Sequence, residues 1–463
     1  MESSHFDVAV VGAGPGGYVA AIRAAQLGAR VCLIERDKIG GTCLNRGCIP
    51  TKALVASVEK YLAVKQAAEY GIIVGDVQID FPAMISRTKG VVDRLVQGIE
   101  YLMRKRKITC IQGRAAFNDP HTLSVQAAGQ TTIVTADKFI LAPGSKPMVF
   151  PAFAYDGSRV VTSDELLHLD KLPRSMVIIG GGVIGCEYAS IFQSLGTQVT
   201  VVEALPTILP QMDKELVRQL ASYLKRQGIK LLTGVKVSEV VKDDMQVTVQ
   251  MENGKSVSGD IVLVAVGRRA NTTGLNLEKA GLSVNEKAEI IVDDRMQTAV
   301  PHIYAVGDAC SSPWKLAHVA SYQGIVAAHQ CLGDAQEVMD YSAVPAVVFT
   351  TPEVAAVGVT VESAAEAGME IVSAKFSFMA SGKAVAAGHT AGFVKIIARK
   401  DNQQIVGAHI IGDQASNLIA ELALAVRNQL TVNHLTRTIH AHPTLAEAVL
   451  EAAEGINNQT IHA

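Results

Sequence analysis

Short apolar runs that end in glycine turns set the pattern of this chain. The first, Phe6-Asp7-Val8-Ala9-Val10-Val11, reads as a buried strand and passes directly into Gly12-Ala13-Gly14-Pro15-Gly16-Gly17. An apolar run of this length bounded by a turn signal suits a strand covered on both faces. An Ala-rich helix is expected over 18–27, and Arg30-Val31-Cys32-Leu33-Ile34 forms a second strand that closes on Glu35. The same order then recurs. Met176-Val177-Ile178-Ile179 leads into Gly180-Gly181-Gly182-Val183-Ile184-Gly185, a helix follows, and Val199-Thr200-Val201-Val202 ends at Glu203.

Each unit is a strand, a G-x-G-x-x-G turn, a helix, a strand and an acid. Gly12, Gly14 and Gly17 in the first copy, and Gly180, Gly182 and Gly185 in the second, permit the tight turn and close backbone approach to a pyrophosphate. The helix start supplies free N–H groups and partial positive charge. In both copies the acid stands 23 positions beyond the first glycine, at Glu35 and Glu203. That is near the spacing of about 20 expected for a carboxylate that accepts from ribose hydroxyls. Two dinucleotides are therefore expected. Glu203 is followed by Ala204-Leu205-Pro206 with no base at hand. A carboxylate repels a 2′-phosphate, so the second site should take NAD(H) rather than NADP(H).

What surrounds the first turn changes its meaning. Cys43-Leu44-Asn45-Arg46-Gly47-Cys48 follows within a few residues of Glu35, which sets a possible redox disulfide beside a bound cofactor. FAD, which exchanges electrons with both a dithiol and a nicotinamide, is the natural occupant there. A helical pattern begins after Ile49-Pro50-Thr51-Lys52, so Cys48 should lie near a helix N-terminus, where the dipole and Lys52 favour its thiolate. Zinc at these cysteines is disfavoured, because no second cysteine pair and no histidine cluster adjoins them.

Composition bounds the rest. The 463 residues suit about three domains, the hydrophobic share of 49% is ample for their cores, and the formal charge is only −2. No basic tail favours nucleic acid. Arg104-Lys105-Arg106-Lys107 reads as a solvated helix end, and no apolar stretch is long enough to span a membrane. The N-terminus lacks a secretory pattern. Seven scattered cysteines fit a reducing compartment with one catalytic pair, and Cys110, Cys186, Cys310 and Cys331 read as buried packing residues.

A second chemical group appears late, in Thr438-Ile439-His440-Ala441-His442-Pro443-Thr444-Leu445-Ala446-Glu447. His442 is a candidate general base. A neutral imidazole near pKa about 6.5 is weaker than a thiolate near about 8.5, and an adjoining carboxylate narrows that gap. Glu447 has two readings, as that carboxylate or as the return arm of a capping box begun by Thr444. His440 reads as a structural hydrogen-bonding residue.

Gly40-Gly41-Thr42-Cys43 through Cys48-Ile49-Pro50-Thr51-Lys52 resembles the redox centre of the pyridine nucleotide-disulfide oxidoreductases. The resemblance extends over essentially the whole chain and is strongest to the branch that oxidises dihydrolipoamide. Ile140-Leu141-Ala142-Pro143-Gly144-Ser145 resembles the exit from the first flavin segment, with Pro143 where the family often has threonine. Val264-Ala265-Val266-Gly267-Arg268-Arg269 resembles the end of the NAD domain, and Ile303-Tyr304-Ala305-Val306-Gly307-Asp308 the second flavin segment.

The resemblance implies an α/β protein with two Rossmann-like dinucleotide-binding domains and a C-terminal α+β interface domain for dimerisation. FAD would occupy a split domain, 1–145 and 271–340, NAD the domain 146–270, and the interface domain 341–463. It further implies Cys43 as interchange thiol and Cys48 as the thiol nearer the flavin. Lys52 would pair with Glu187 beside the flavin, with Ile184 near the nicotinamide path. Gly144 and Asp308 would serve FAD, and Gly267 NAD. A His442–Glu447 pair would face the disulfide of the opposite subunit of a homodimer. As bare residues, Lys52 and Glu187 read as a surface ion pair, Ile184 as core, and Gly307-Asp308 as a turn.

The implied partners are lipoyl domains and the acyltransferase core of 2-oxo acid dehydrogenase complexes, or the glycine-cleavage lipoyl protein. A cytoplasmic location is expected, or the mitochondrial matrix if a transit peptide was removed. Other branches fit less well. Glutathione-type NADP reductases want bases after Glu203, and mercuric and large thioredoxin reductases want cysteines beyond Cys331. A soluble transhydrogenase has no need of Cys43 and Cys48, and a flavin-binding sensor without turnover has no need of the full catalytic set.

Overall fold

The computed structural model describes residues 3–334 and 338–462. The apolar runs become the central strands of two parallel sheets. In the first, Ser3–Val11 lies between Val31–Glu35 and Gln130–Leu141, parallel to both, with Val8 opposite Val31. Alternate residues of this strand enter different cores. Val8 and Val10 pack with Leu33, Ile140 and the helices, while Ala9 and Val11 pack with Cys32, Ile34 and Phe139. Burial on both faces is why the run is apolar without alternation. The turn to the helix Pro15–Gln26 is sharper than expected, and that helix starts three residues early.

The chain returns to this sheet after a long excursion, since Ile303–Ala305 adds parallel to Gln130–Leu141. The helix that follows, Ala317–Cys331, packs on Pro15–Gln26 at close range. A Cβ on Gly324 would stand 2.4 Å from the Gly16 carbonyl oxygen. On the far edge, Thr109–Gln112 pairs only with Val31–Glu35, and its Cys110 is exposed. Cys110 is thus corrected from a buried packing residue to an edge-strand thiol.

Between the two visits lies a five-stranded parallel sheet built on Ser175–Ile179, with Gln198–Glu203 on one side and Ile261–Val264 on the other. A two-stranded ribbon, Ser145–Pro147 with Arg268–Ala270, marks where the chain leaves and re-enters. From Ala346 onward a five-stranded antiparallel sheet forms, ordered Ala346–Val348, Glu353–Gly358, Ile405–Gly412, Phe393–Arg399, Ile371–Ser377. Helices Ala415–Arg427 and Glu447–Gly455 cover it.

This last sheet is joined to the middle one by a buried charge cluster. Lys395 donates to Asp213 at 2.8 Å and to Glu215 at 3.3 Å, with the Lys395 and Asp213 side chains 8% and 1% exposed. No described helix is long and apolar enough to cross a membrane.

Candidate active site

The two glycine turns are close structural copies. Gly12 and Gly180 adopt φ of +98° and +111°, values that L side chains resist. A Cβ on Gly17 would stand 1.8 Å from the Gly12 carbonyl oxygen, and one on Gly185 2.0 Å from that of Gly180. The third glycine therefore lets the helix close on its own turn. The middle glycines differ in kind, because a Cβ on Gly14 would approach only Gly41 Cα, at 3.9 Å, and one on Gly182 nothing within 4 Å. That open space is where a phosphate would approach the backbone.

The acids brace these turns. Glu35 accepts from Ala13 N–H at 2.7 Å and Asp37 N–H at 2.8 Å, and Glu203 accepts from Gly181 N–H at 2.6 Å and Leu205 N–H at 2.7 Å. A carboxylate has about four acceptor sites, so each acid retains capacity for ribose hydroxyls.

A cavity of about 750 Å³ runs from the first turn to the cysteine pair. Gly12, Gly14, Glu35, Gly144 and Asp308 line it, as do Cys43, Cys48, Lys52, Ile184 and Glu187. The glycines of the second turn, Glu203 and Gly267 are not on its wall, although Val183 and Ile184 between those glycines are. Asp308 is held by the Ser145 hydroxyl, which in turn accepts from Arg268 Nε at 2.7 Å. Among the described residues no group of three or more His, Cys, Asp or Glu is placed to hold a metal.

Cys43 and Cys48 stand side by side, each with its own thiol. Cys43 sits in the short helix Gly41–Arg46 and Cys48 opens the helix Cys48–Lys65. The hydrogen bond from Cys43 lowers the Cys48 thiol to about 7 against the opposing effect of burial, with further help from Lys52 one turn along the helix. Cys43 moves the other way, because its proton is shared with Cys48 and it is buried. Lys52 is held by both oxygens of Glu187, at 2.8 and 2.9 Å, across the boundary between the first and second parallel sheets.

Residues that the sequence did not single out complete this wall. Phe349 donates its backbone N–H to Glu187 at 3.0 Å and lays its ring 4.3 Å from Lys52 Nζ. Ser145 and Arg268 flank recognised glycines, and a charge beside a chain crossing was the available signal for Arg268. Phe349 carried none, since its neighbours lie about 160 and 300 positions away in sequence.

His442 stands apart. It is not on the cavity wall, and its side chain is 79% exposed. Its Nδ1 meets Glu447 Oε1 at 2.9 Å, while Thr444 N–H donates to Glu447 Oε2 at 2.9 Å. Glu447 thus meets the groups named by both of its readings, one on each oxygen. The capping box itself is incomplete, because the Thr444 hydroxyl donates to Ala441 and the helix begins only at Glu447. Both contacts hold the Glu447 carboxyl below its ordinary range, the Thr444 N–H first and His442 second. His440 is tied to Glu421 at 3.1 Å and to the Thr438 carbonyl at 2.9 Å, a structural placement.

A family model described as pyridine nucleotide-disulphide oxidoreductase matches residues 6–324, and the dimerisation domain of the same family matches 344–453. This chain belongs to that family. As a pyridine nucleotide-disulphide oxidoreductase it resembles the dihydrolipoyl dehydrogenase of Chlamydia pneumoniae, 45% identical over 99% of each chain. That of Geobacillus stearothermophilus is 42% identical over 98% of this chain and 96% of its own.

Among solved structures, LpdA from Mycobacterium tuberculosis superposes with a TM-score of 0.92 at 30% identity, covering 98% of this chain and 99% of that one. The HOCl-induced flavoprotein disulfide reductase RclA from Escherichia coli gives 0.87 at 28%, over 97% and 99%. The family's cofactors are FAD and NAD(H), and the matched dimerisation domain supports a homodimer. The first cavity fits FAD on its own geometry. It joins an open glycine, an acid with spare acceptors and a dithiol within one volume.

Proposed function

We infer that this chain oxidises dihydrolipoamide to lipoamide and reduces NAD⁺ to NADH. The observation that carries this is the Cys43–Cys48 dithiol opening into the same cavity as the first dinucleotide turn. In the oxidised enzyme the two cysteines are joined as a disulfide. With Nδ1–H donated to the Glu447 carboxylate, the His442 ring presents a lone pair at Nε2. That atom takes the proton of one substrate thiol, and the resulting thiolate attacks Cys43 Sγ, breaking the disulfide.

Cys48 leaves as thiolate, stabilised by its helix N-terminus and by Lys52. Exposure does not choose between the sulfurs, since Cys48 is the more exposed residue while burial weighs on both thiols. Leaving-group chemistry favours Cys43, because the thiol of lower pKa departs faster. The second substrate thiol then attacks the mixed disulfide, releasing lipoamide and the reduced Cys43. FAD, when bound, carries the electron pair of the dithiol onward to NAD⁺.

Glu35, Gly144 and Asp308 would hold FAD, and Glu203 with Gly180, Gly182, Gly185 and Gly267 would form the NAD site. The domain division 1–145 with 271–340, 146–270 and 341–463 is supported by the return of Ile303–Ala305 to the first sheet and by the Ser145–Arg268 ribbon. Because His442 lies off the cavity of its own chain, the base at each dithiol would come from the partner copy. The electron donor would be a lipoyl domain of a 2-oxo acid dehydrogenase or glycine-cleavage system, and the working compartment the cytoplasm.

The test is NADH formation from dihydrolipoamide by purified holoenzyme, with NADP⁺, and oxidised glutathione with NADPH, as alternatives. NAD⁺-selective turnover that disappears in Cys43→Ser is the expected result. Turnover only with glutathione and NADPH, or none with any pair, would overturn it.

A further inference from the structure

The Lys52–Glu187 pair beside Cys48 is closed on its third side by a residue from the dimerisation domain. Phe349 follows the strand Ala346–Val348 and meets both members of the pair. Its N–H fixes Glu187 Oε1 at 3.0 Å, and its ring covers Lys52 Nζ at 4.3 Å. Glu187 is buried, and its two oxygens engage Lys52, so the ammonium is bounded by carboxylate on one side and aromatic face on another.

We propose that Phe349 is a positioning residue that acts through Lys52 to maintain the thiolate form of Cys48, using the electrostatic attraction of its ring for the ammonium. This role rests on the reading of Cys48 as the departing thiolate. The physical reason is the competition at Lys52. Glu187 already holds the ammonium with both oxygens, and the lysine, partly exposed, would still sample water if the ring did not cover it. The field of Lys52 at Cys48 lowers the thiol, while that of Glu187 opposes it. Small displacements of Nζ therefore change the balance directly. An aromatic face attracts a cation within about 6 Å of its centroid, and at 4.3 Å this ring is well inside that range.

The attraction belongs to the negative face of the ring, not to its bulk, and that separates this role from simple packing. Ring fluorination drains the face while nearly preserving shape. The experiment is made in the Cys43→Ser holoenzyme, where the serine hydroxyl can still donate to Cys48. Fluorinated phenylalanines are incorporated at position 349, and iodoacetamide alkylation of the Cys48 peptide is followed by mass spectrometry across pH. The exposed Cys110 is resolved as a separate peptide.

The half-point of alkylation is expected to rise stepwise with fluorination. Each unit of rise slows alkylation about tenfold on the acid side. Phe349→Leu is expected to raise it as well, and the fluorinated series decides the matter even if that variant fails to fold. An unchanged half-point through the fluorinated series would overturn the proposal and leave Phe349 as packing alone. Turnover of dihydrolipoamide with NAD⁺ is measured separately on the unsubstituted enzyme. Its absence would sink the functional reading without altering the alkylation result.

Discussion

Glu447→Gln is the substitution that bears most directly on the proton acceptor. The carboxylate accepts two hydrogen bonds at 2.9 Å, from His442 Nδ1–H and from Thr444 N–H. Glutamine offers one acceptor and one donor end, so it can serve only one of them. With its oxygen toward Thr444, its NH₂ faces Nδ1, which must become a lone pair, and the ring proton moves to Nε2. That is the atom required to be empty. With its oxygen toward His442, donor meets donor at Thr444.

A hydrogen bond to a charged group is worth about 1.5–3 kcal/mol, and each 1.36 kcal/mol in the barrier is tenfold in rate, so the loss spans about 10- to 150-fold. The tautomer change adds to this, toward the upper part of the range of about 10²–10⁴ for general acid–base catalysis. In the single chain His442 is 79% exposed and water would screen the pair, while in the proposed dimer it faces the partner's dithiol, so the expectation is at least about 10²-fold in kcat. The assay is dihydrolipoamide oxidation with NAD⁺, set against NADH oxidation by ferricyanide, which needs no thiol deprotonation and should be nearly unchanged. Thiol oxidation within a few-fold of the unsubstituted enzyme would refute the assignment of Nε2 as base.

Lys395→Met strands the buried Asp213 and should cost about 3–5 kcal/mol in urea unfolding, with most of it recovered in Lys395→Met/Asp213→Asn. Burial raises the Asp213 carboxyl, but the Lys395 hydrogen bond, the Leu216 N–H and the nearby positive charge together more than offset this and hold it low. Its contribution is therefore full above the unfolded value of about 3.9 and lost as pH falls through the lower folded value. Acid unfolding of Lys395→Met should lack that component. Gly185→Ala, with its Cβ 2.0 Å from the Gly180 carbonyl oxygen, should raise KM for NAD⁺ sharply while the protein keeps its flavin, as absorbance would show. Leu205→Arg should admit NADP⁺ only when Glu203 is also replaced, read as the ratio of kcat/KM for the two nucleotides.

The parts of this architecture that were legible in the sequence are those whose cause is local. The glycine turns need φ values and clearances that few residues other than glycine meet, so Gly12, Gly17, Gly180 and Gly185 announce themselves. Cys48 at a helix start followed by Lys52 was likewise readable from four adjoining positions. The bracing of each turn by its own acid was not, because a ribose acceptor and a turn brace require the same residue at the same spacing. Phe349 and the Lys395–Asp213 cluster depend on contacts between distant segments, which no local pattern encodes. Cys110 failed for the opposite reason, since its composition suggests burial while its strand happens to form the sheet edge.

The doubled hydrogen bonding of Glu35 and Glu203 has a consequence for affinity. Each carboxylate already holds its turn closed from within the protein, so an arriving dinucleotide meets a preorganised cradle. Its ribose needs only the vacant lone pairs, and none of its binding energy is diverted to ordering the loop. Any difference in residence time between the two sites must then be set by what lies beyond the turns. The cavity beside the first turn would slow departure there, and the glycines of the second turn are not on its wall.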